Sequence, residues 1–282
     1  MAVLKNDTDY IAYIDEVQAK LADALEKCWD EDRFIRGIRE NGDIVGAKND
    51  PEANMWLNPQ SWSVISRFAS EEQAEKAMDS VYRILNTHYG AKLLDPPYKY
   101  HHFKGALMQV FNLDTKENGG IFSQSQGWLI LAEALMGHGN RAFEYFMESS
   151  PAAMNDKAEI RVIEPYVHGQ FVESKASPFE GRAHVHWLTG TASTVMVGCV
   201  EGICGMRPNA EGLVISPAIP AEWDGFKMEK NFRGTHLSIN VLNPDHVESG
   251  VKEITLNGEK LCGNLVPADK LKAENEVVVV LG

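Results

Sequence analysis

The spacing of apolar residues changes near residue 211, and that change constrains the fold more than any other feature of the chain. Before it, apolar side chains recur at intervals of three and four. They are Ile11, Ile14, Val17, Leu21 and Leu25 over residues 9–28, then Ala74, Ala77, Met78, Val81, Ile84 and Leu85 over 71–89. This spacing lays one apolar stripe along an α-helix and so predicts amphipathic helices. Asp7 or Thr8 is placed to cap the first, and Gly90 to stop the second. Further helices are expected at 60–68 and at about 126–137, 139–149 and 191–205. Beyond residue 211, "GLVISPAIPAEW", "KMEKNFRGTHLSINVLN", "KEITLNGEKL" and "NEVVVVLG" are short alternating or β-branched runs broken by Pro, Asn and Gly. These are strand signals, and "LNGEK" marks a hairpin. The expectation is a mainly α protein with a β tail: a helical body over 1–208 and a small all-β domain over 209–282.

Two segments inside the body resist helix. "WDEDRFIRGIRENGDIVG" reads as two short strands or extended arms around Asn41-Gly42, and "LLDPPYKYHH" as a long loop because of Pro96 and Pro97. The 282 residues, 44% hydrophobic, suffice for one large or two smaller domains. With 27 Lys and Arg against 40 Asp and Glu, the net charge is −13. That balance argues against nucleic acid or an anionic membrane as partner, since both require a basic face. It fits an enzyme of neutral or anionic metabolites. The opening "MAVLKNDTDYIAYIDE" has no secretory apolar region and no run is long enough to span a bilayer, so the expected location is cytoplasmic. Cys28, Cys199, Cys204 and Cys262 lack zinc-type spacing and read as reduced thiols.

Four polar, glycine-bearing loops separate the helices, and each supports two readings. "WLNPQSW" sets Trp56 and Trp62 around Asn58 and Gln60, either to hold a sugar by aromatic face and amide or to start a helix with buried Trp. "NLDTKENGGIFSQSQGW" brings Lys116, Glu117 and Asn118 to Gly119-Gly120, then Ser123, Gln124, Ser125 and Gln126 to a helix entrance. Those groups could bind sugar hydroxyls or an anion, or serve as helix caps. "EIRVIEPYVHGQF" holds Glu164, Tyr166, His168 and Gln170 around Pro165, where a lone histidine is more often structural than a ligand. In "GRAHVHWLTGTAST", Thr189, Gly190 and Thr191 open a helix with hydroxyls and backbone N–H groups, an arrangement best suited to phosphate. His184 and His186 lack the carboxylate pattern of a metal site.

Taken together, "WLNPQSW", "KENGGIF", "EIRVIEPY", "HWLTGTAS" and "GICGMRPNAEGLVISPAIPAEW" resemble, in order and along nearly the whole chain, the inverting disaccharide phosphorylases of the cellobiose phosphorylase type, glycoside hydrolase family ninety-four. The resemblance implies a partial (α/α)₆ barrel, the second half of its helices, followed by a small C-terminal β-sandwich. The implied reaction is reversible phosphorolysis of a β-linked glucose disaccharide, cellobiose first among them. It yields α-glucose 1-phosphate and a free sugar. Inorganic phosphate is the co-substrate and no metal or other cofactor is called for. By motif, Thr189, Gly190 and Gln170 bind phosphate, and Lys116 and Glu117 bind the leaving sugar. Position 124, where many members carry a phosphate-binding histidine, is Gln124 and donates a hydrogen bond without charge. The partners implied are sugar and phosphate, with a homodimer for full-length members.

The family's "DWND"-type motif, which carries the catalytic aspartic acid, occurs nowhere in the chain. The general acid is therefore expected upstream of residue 1, and residues 1–282 are expected to be a C-terminal part without independent activity. Glu117, Asp95 and Glu164 are the acids that could substitute, none with a motif behind it. Two other readings stand beside this one. The first is a non-catalytic carbohydrate-binding or interaction fragment. The second is a related hydrolase or cyclic-glucan phosphorylase domain needing a water-activating base.

Overall fold

The computed structural model describes residues 2–99 and 108–282. Residues 100–102 of the loop expected at "LLDPPYKYHH" lie outside that range. The described helices are α1 (Ala2–Lys5), α2 (Thr8–Glu26), α3 (Leu57–Ile65), α4 (Glu71–Leu85), α5 (Ser123–Met136), α6 (Gly139–Ser149), α7 (Ala158–Arg161) and α8 (Thr191–Val197).

The three-and-four spacing becomes helix wherever a cap supports it. Asp7, not Thr8, caps α2 by accepting the Tyr10 N–H at 3.1 Å. At α4, Ser70 and Gln73 form a reciprocal capping box, with each side chain accepting the other's backbone N–H. The helix ends at Leu85, short of the expected Gly90, because Asn86 turns extended and the Thr87 hydroxyl folds back onto the Gly90 carbonyl at 2.7 Å. A left-handed Gly137 closes α5 and lets α6 begin at once. The helix expected over 191–205 is two structures in series, α8 and a π-helical turn over Gly198–Ile203.

Helices α3 to α6 meet over Leu57, Met78, Val81, Leu85, Leu129, Ile130 and Tyr145, all removed from solvent. Each such Leu or Ile contributes about 1.5–3 kcal/mol relative to exposure. By contrast α2 buries no residue fully, although Leu21 and Leu25 near its end line a cavity with Phe34, Ile35 and Trp62. Short ribbons fill the segment before α3. Trp29–Asp30 pairs with Arg33–Phe34, Gly37–Ile38 with Ile44–Val45 around Gly42, and Met55–Trp56 with Leu94–Asp95.

From Met206 onward the regular elements are strands, apart from one 3₁₀ turn at Ala268–Lys270. Strands Met206–Pro208, Gly212–Ile215 and Leu265–Pro267 make one sheet. Gly225–Phe232, Thr235–Leu242, Glu274–Leu281, Val251–Leu256 and Glu259–Lys260 make a second. The expected "LNGEK" hairpin is present, Leu256 facing Glu259 across left-handed Asn257 and Gly258. Leu213 and Val266 of the first sheet join Ile239, Val241, Val277 and Val279 of the second in the same apolar cluster as the helices.

At the end of α6, Asn86 donates to Glu148 Oε1 at 3.2 Å while Oε2 is buried without a partner. Burial, reinforced by the neighbouring Glu144 charge, pushes the Glu148 carboxyl up to about 8. A carboxyl raised in the folded state favours folding at low pH, and this contribution is lost as pH rises from the unfolded value near 4.3 through 8. We predict that Glu148→Gln raises the thermal midpoint at pH 9 and leaves it nearly unchanged at pH 4. Thermal melts across that range would refute the assignment if the two proteins kept parallel profiles.

Candidate functional site

A three-stranded sheet unseen in the sequence pattern organises the polar loops. Ile121–Phe122 pairs with Gly169–Val172, which pairs with Ala183–His186, all antiparallel. Each outer strand feeds a helix. Ile121–Phe122 runs directly into α5 at Ser123, and Ala183–His186 reaches α8 through Trp187–Gly190. The two helix entrances therefore start from the same small sheet.

Backbone contact then fixes them side by side. A Cβ on Gly127 of α5 would stand 2.3 Å from the Thr194 carbonyl carbon, and one on Gly198 would stand 2.8 Å from the Gly127 carbonyl oxygen. Only glycine permits such an approach. One turn up, the Thr194 hydroxyl donates to the Gln124 carbonyl at 3.0 Å, and the Gln124 side-chain amide lies 3.5 Å from where a Gly190 Cβ would be. Gly190 starts α8 with no side-chain cap. The Thr189 hydroxyl accepts the Thr191 N–H at 3.2 Å and shares a 2.5 Å hydrogen bond with the Thr191 hydroxyl. Gln124, Thr189 and Gly190 thus converge, while Gln170 lies on the central strand of the sheet they spring from.

Lys116 and Glu117 occupy the turn just before Ile121–Phe122. Asn118, fully buried, pins that turn by accepting the Tyr98 N–H at 2.8 Å and donating to the Tyr98 and Phe111 carbonyls. Beneath it, buried Lys92 bridges Asp95 and Asp114, the latter at 2.8 Å. Lys116 is held left-handed with its ammonium over the Phe111 ring, and Glu117 Oε2 is buried with no hydrogen-bond partner. No hydrogen bond or ion pair joins either side chain to Gln124, Gln170 or Thr189.

Several other polar side chains of these loops are engaged within the protein, whereas Asn58 Oδ1 is buried without a partner among the described residues and Trp62 is half exposed. The Gln60 side chain grips the Phe34 N–H and carbonyl and the Trp56 carbonyl, and Gln126 does the same for Ala91 and Phe122. Trp56 is buried, with its indole N–H on the Ala53 carbonyl. His168 is held below its ordinary pKa by burial and by the Arg161 charge. His184 stacks on Phe171 and bonds Glu173 at 2.5 Å, while His186 meets Glu164 at 3.1 Å. Each of the two histidines has its own carboxylate. Among the described residues no group of three His, Cys, Asp or Glu is placed to hold a metal.

Sequence reasoning missed the part played by Trp187. Its indole N–H donates to Glu164 at 3.3 Å, and its ring lies 6.2 Å from that of Tyr166. Both rings are largely exposed, at 70% and 73%, so this aromatic pair is open to a ligand. The Glu164 carboxyl sits below the usual range, chiefly because its own backbone N–H bonds it and also through Trp187. The signal was the Trp inside "HWLTG", two residues from the phosphate-type turn.

Sequence comparison supplies the family. The glycosyl hydrolase 94 superfamily catalytic domain matches residues 1–205, and the glycosyl hydrolase family 65 C-terminal domain matches residues 206–261. The chain belongs to the glycosyl hydrolase 94 superfamily. N,N'-diacetylchitobiose phosphorylases of Vibrio proteolyticus and Vibrio furnissii are 37% and 36% identical to it, across 99% and 96% of the chain. A cellobionic acid phosphorylase of Neurospora crassa is 32% identical across 89% of it. These matches take in 35%, 34% and 31% of the relatives, so the chain spans about a third of their length. No described helix is long and apolar enough to cross a membrane.

Because the α5–α8 contact is backbone on backbone, we predict that Gly127→Ala costs at least about 2 kcal/mol of stability. Urea unfolding would count against this geometry if the loss were under half that figure.

Proposed function

We propose that this chain supplies the phosphate and acceptor side of a disaccharide phosphorylase, whose reaction is the reversible inverting phosphorolysis of a β-linked disaccharide. The convergence of Gln124, Thr189 and Gly190 at two touching helix entrances carries this reading. In the reaction a phosphate oxygen attacks the anomeric carbon, the glycosidic C–O bond breaks, and a carboxylic acid protonates the departing oxygen. The product is a sugar 1-phosphate of inverted configuration and a free sugar. Thr189, the Gly190 N–H, Gln124 and Gln170 hold phosphate, whereas Lys116 and Glu117 take the leaving sugar. On the same reading the helices are the second half of an (α/α)₆ barrel, the tail is a β-sandwich, and the working enzyme is a homodimer.

Two of the three substitute acids, Asp95 and Glu164, fit the acid role poorly. Asp95 is ion-paired with buried Lys92, and Glu164 is held ionised by its neighbours, whereas a proton donor needs a raised pKa. Glu117, the third, is taken by the leaving sugar on this reading, so the proposal places the general acid outside residues 1–282, and the chain alone is expected to turn over no substrate. Cellobiose is the substrate first in view. The two N,N'-diacetylchitobiose phosphorylases among the relatives favour a second reading, in which both sugars are N-acetylated.

Binding separates these ideas from a purely structural role. Inorganic phosphate is expected to raise the thermal midpoint of the chain, and Thr189→Val to weaken that dependence about tenfold, the equivalent of one lost charge-assisted hydrogen bond. No phosphate effect at millimolar concentration would overturn the proposal. Gln124→His introduces a group that charges near pH 6.5, so phosphate should bind more tightly as pH falls through that value. Titrations at pH 5.5 and 7.5 read this directly, and a pH-independent affinity would place residue 124 away from the anion. Cellobiose against N,N'-diacetylchitobiose, each titrated with phosphate present, decides the substrate.

A further inference from the structure

A cationic pocket lies where the helical body meets the β tail. It has a volume of ≈ 540 Å³ and is lined by Arg67, just past the end of α3, and by Arg207, on strand Met206–Pro208. Val64, Leu135 and Val214 form an apolar wall, and Asn209 stands on the rim. Arg207 belongs to "GICGMRPNAEGL", a motif the phosphorolysis reading leaves without a task. None of these residues belongs to the candidate phosphate turn.

The charges in the pocket are unbalanced. Arg207 donates to the Ser216 carbonyl at 3.2 Å, and the Arg67 side chain makes no hydrogen bond among the described residues. Among the described residues neither guanidinium forms an ion pair with a carboxylate, although the Glu201 charge reaches Arg207 from a distance. Burial and the nearby Arg67 both work against the Arg207 charge. Two like charges lining one open pocket repel each other weakly across solvent, and an anion seated between them would be attracted by both. In Asn209 the carbonyl oxygen already accepts the Glu211 and Gly212 N–H groups, which leaves its NH₂ as a donor.

We propose that this junction pocket binds a phosphate-bearing small molecule, its phosphate between Arg67 and Arg207 and its organic part against Val64, Leu135 and Val214. Paired guanidiniums suit a dianionic phosphate, whose oxygens accept their forked N–H donors. The space exceeds what a bare phosphate fills, which favours an ester. A polyanion such as nucleic acid is disfavoured by the overall charge of −13.

The test uses the Thr189→Val chain, so that phosphate binding at the helix entrances is already weakened. Glucose 6-phosphate and inorganic phosphate are each titrated by calorimetry, with and without Arg67→Gln. Because Arg67 is exposed and its side chain unbonded, the substitution removes no contact and should not lower the ligand-free thermal midpoint. Glucose 6-phosphate is expected to bind, and Arg67→Gln to weaken it about tenfold or more. Tighter binding of the ester than of inorganic phosphate supports an ester as the ligand, and equal binding overturns the placement of an organic part against Val64, Leu135 and Val214. No binding of either probe, or an affinity indifferent to Arg67→Gln, overturns the proposal. Either result leaves the reading of Thr189 to its own titration.

Discussion

The candidate site depends on two helices touching through their backbones. Gly127 and Gly198 remove the side chains that would otherwise hold α5 and α8 apart, and the Thr194 carbonyl and the Gly127 carbonyl fill the space. Glycine within a helix costs roughly 0.5–1 kcal/mol relative to alanine. Here that cost is offset by packing α5 into the core through Leu129 and Ile130. The consequence is positional. A larger residue at 127 would push α8 off α5 and so carry the Gly190 turn away from the Gln124 amide.

Around that contact, the scaffold is tied by buried amides. Gln60, Gln126 and Asn118 each satisfy backbone groups of distant segments, such as Phe34, Ala91 and Tyr98. A backbone polar group left unpaired in the interior costs about 1–3 kcal/mol, so these side chains cannot be exchanged for apolar ones of similar size. Their work is to hold short, irregular segments that have too few residues to form ladders of their own. Lys92 does the ionic equivalent, placing one cation between Asp95 and Asp114 under the "KENGG" turn.

The helical part of the fold was readable because three-and-four spacing is long enough in α2 and α4 to be unmistakable, and because Ser70-to-Gln73 is a local capping signal. The tail was readable from alternation and from "LNGEK". The small sheet beneath the site was not. Its strands are two to four residues long, too short to show a period, and their pairing joins residues some fifty apart, as Ile121 with Val172. For the same reason the polar residues of the loops could not be sorted. Gln124 and Gln126 stand two apart in one motif, yet one faces Gly190 and the other faces the Ala91 backbone. Only the fold tells the amide beside the Gly190 turn from the one that clamps a distant backbone.

The π-helical turn at Gly198–Ile203 sets the direction in which the chain leaves the helices. In an α-helix successive residues advance about 100° around the axis, and a widened turn holds an extra residue without lengthening the hydrogen-bonded path. It therefore acts as a phase shifter. Upstream, Thr194 and Gly198 keep their face toward α5, and downstream Met206 emerges at the angle that seats it in the core beside Leu213 and Ile215. Deleting one residue there would leave both halves locally intact but rotate the tail against the body by about a quarter turn. The junction pocket between Arg67 and Arg207 would be dismantled by arithmetic alone, with neither arginine altered.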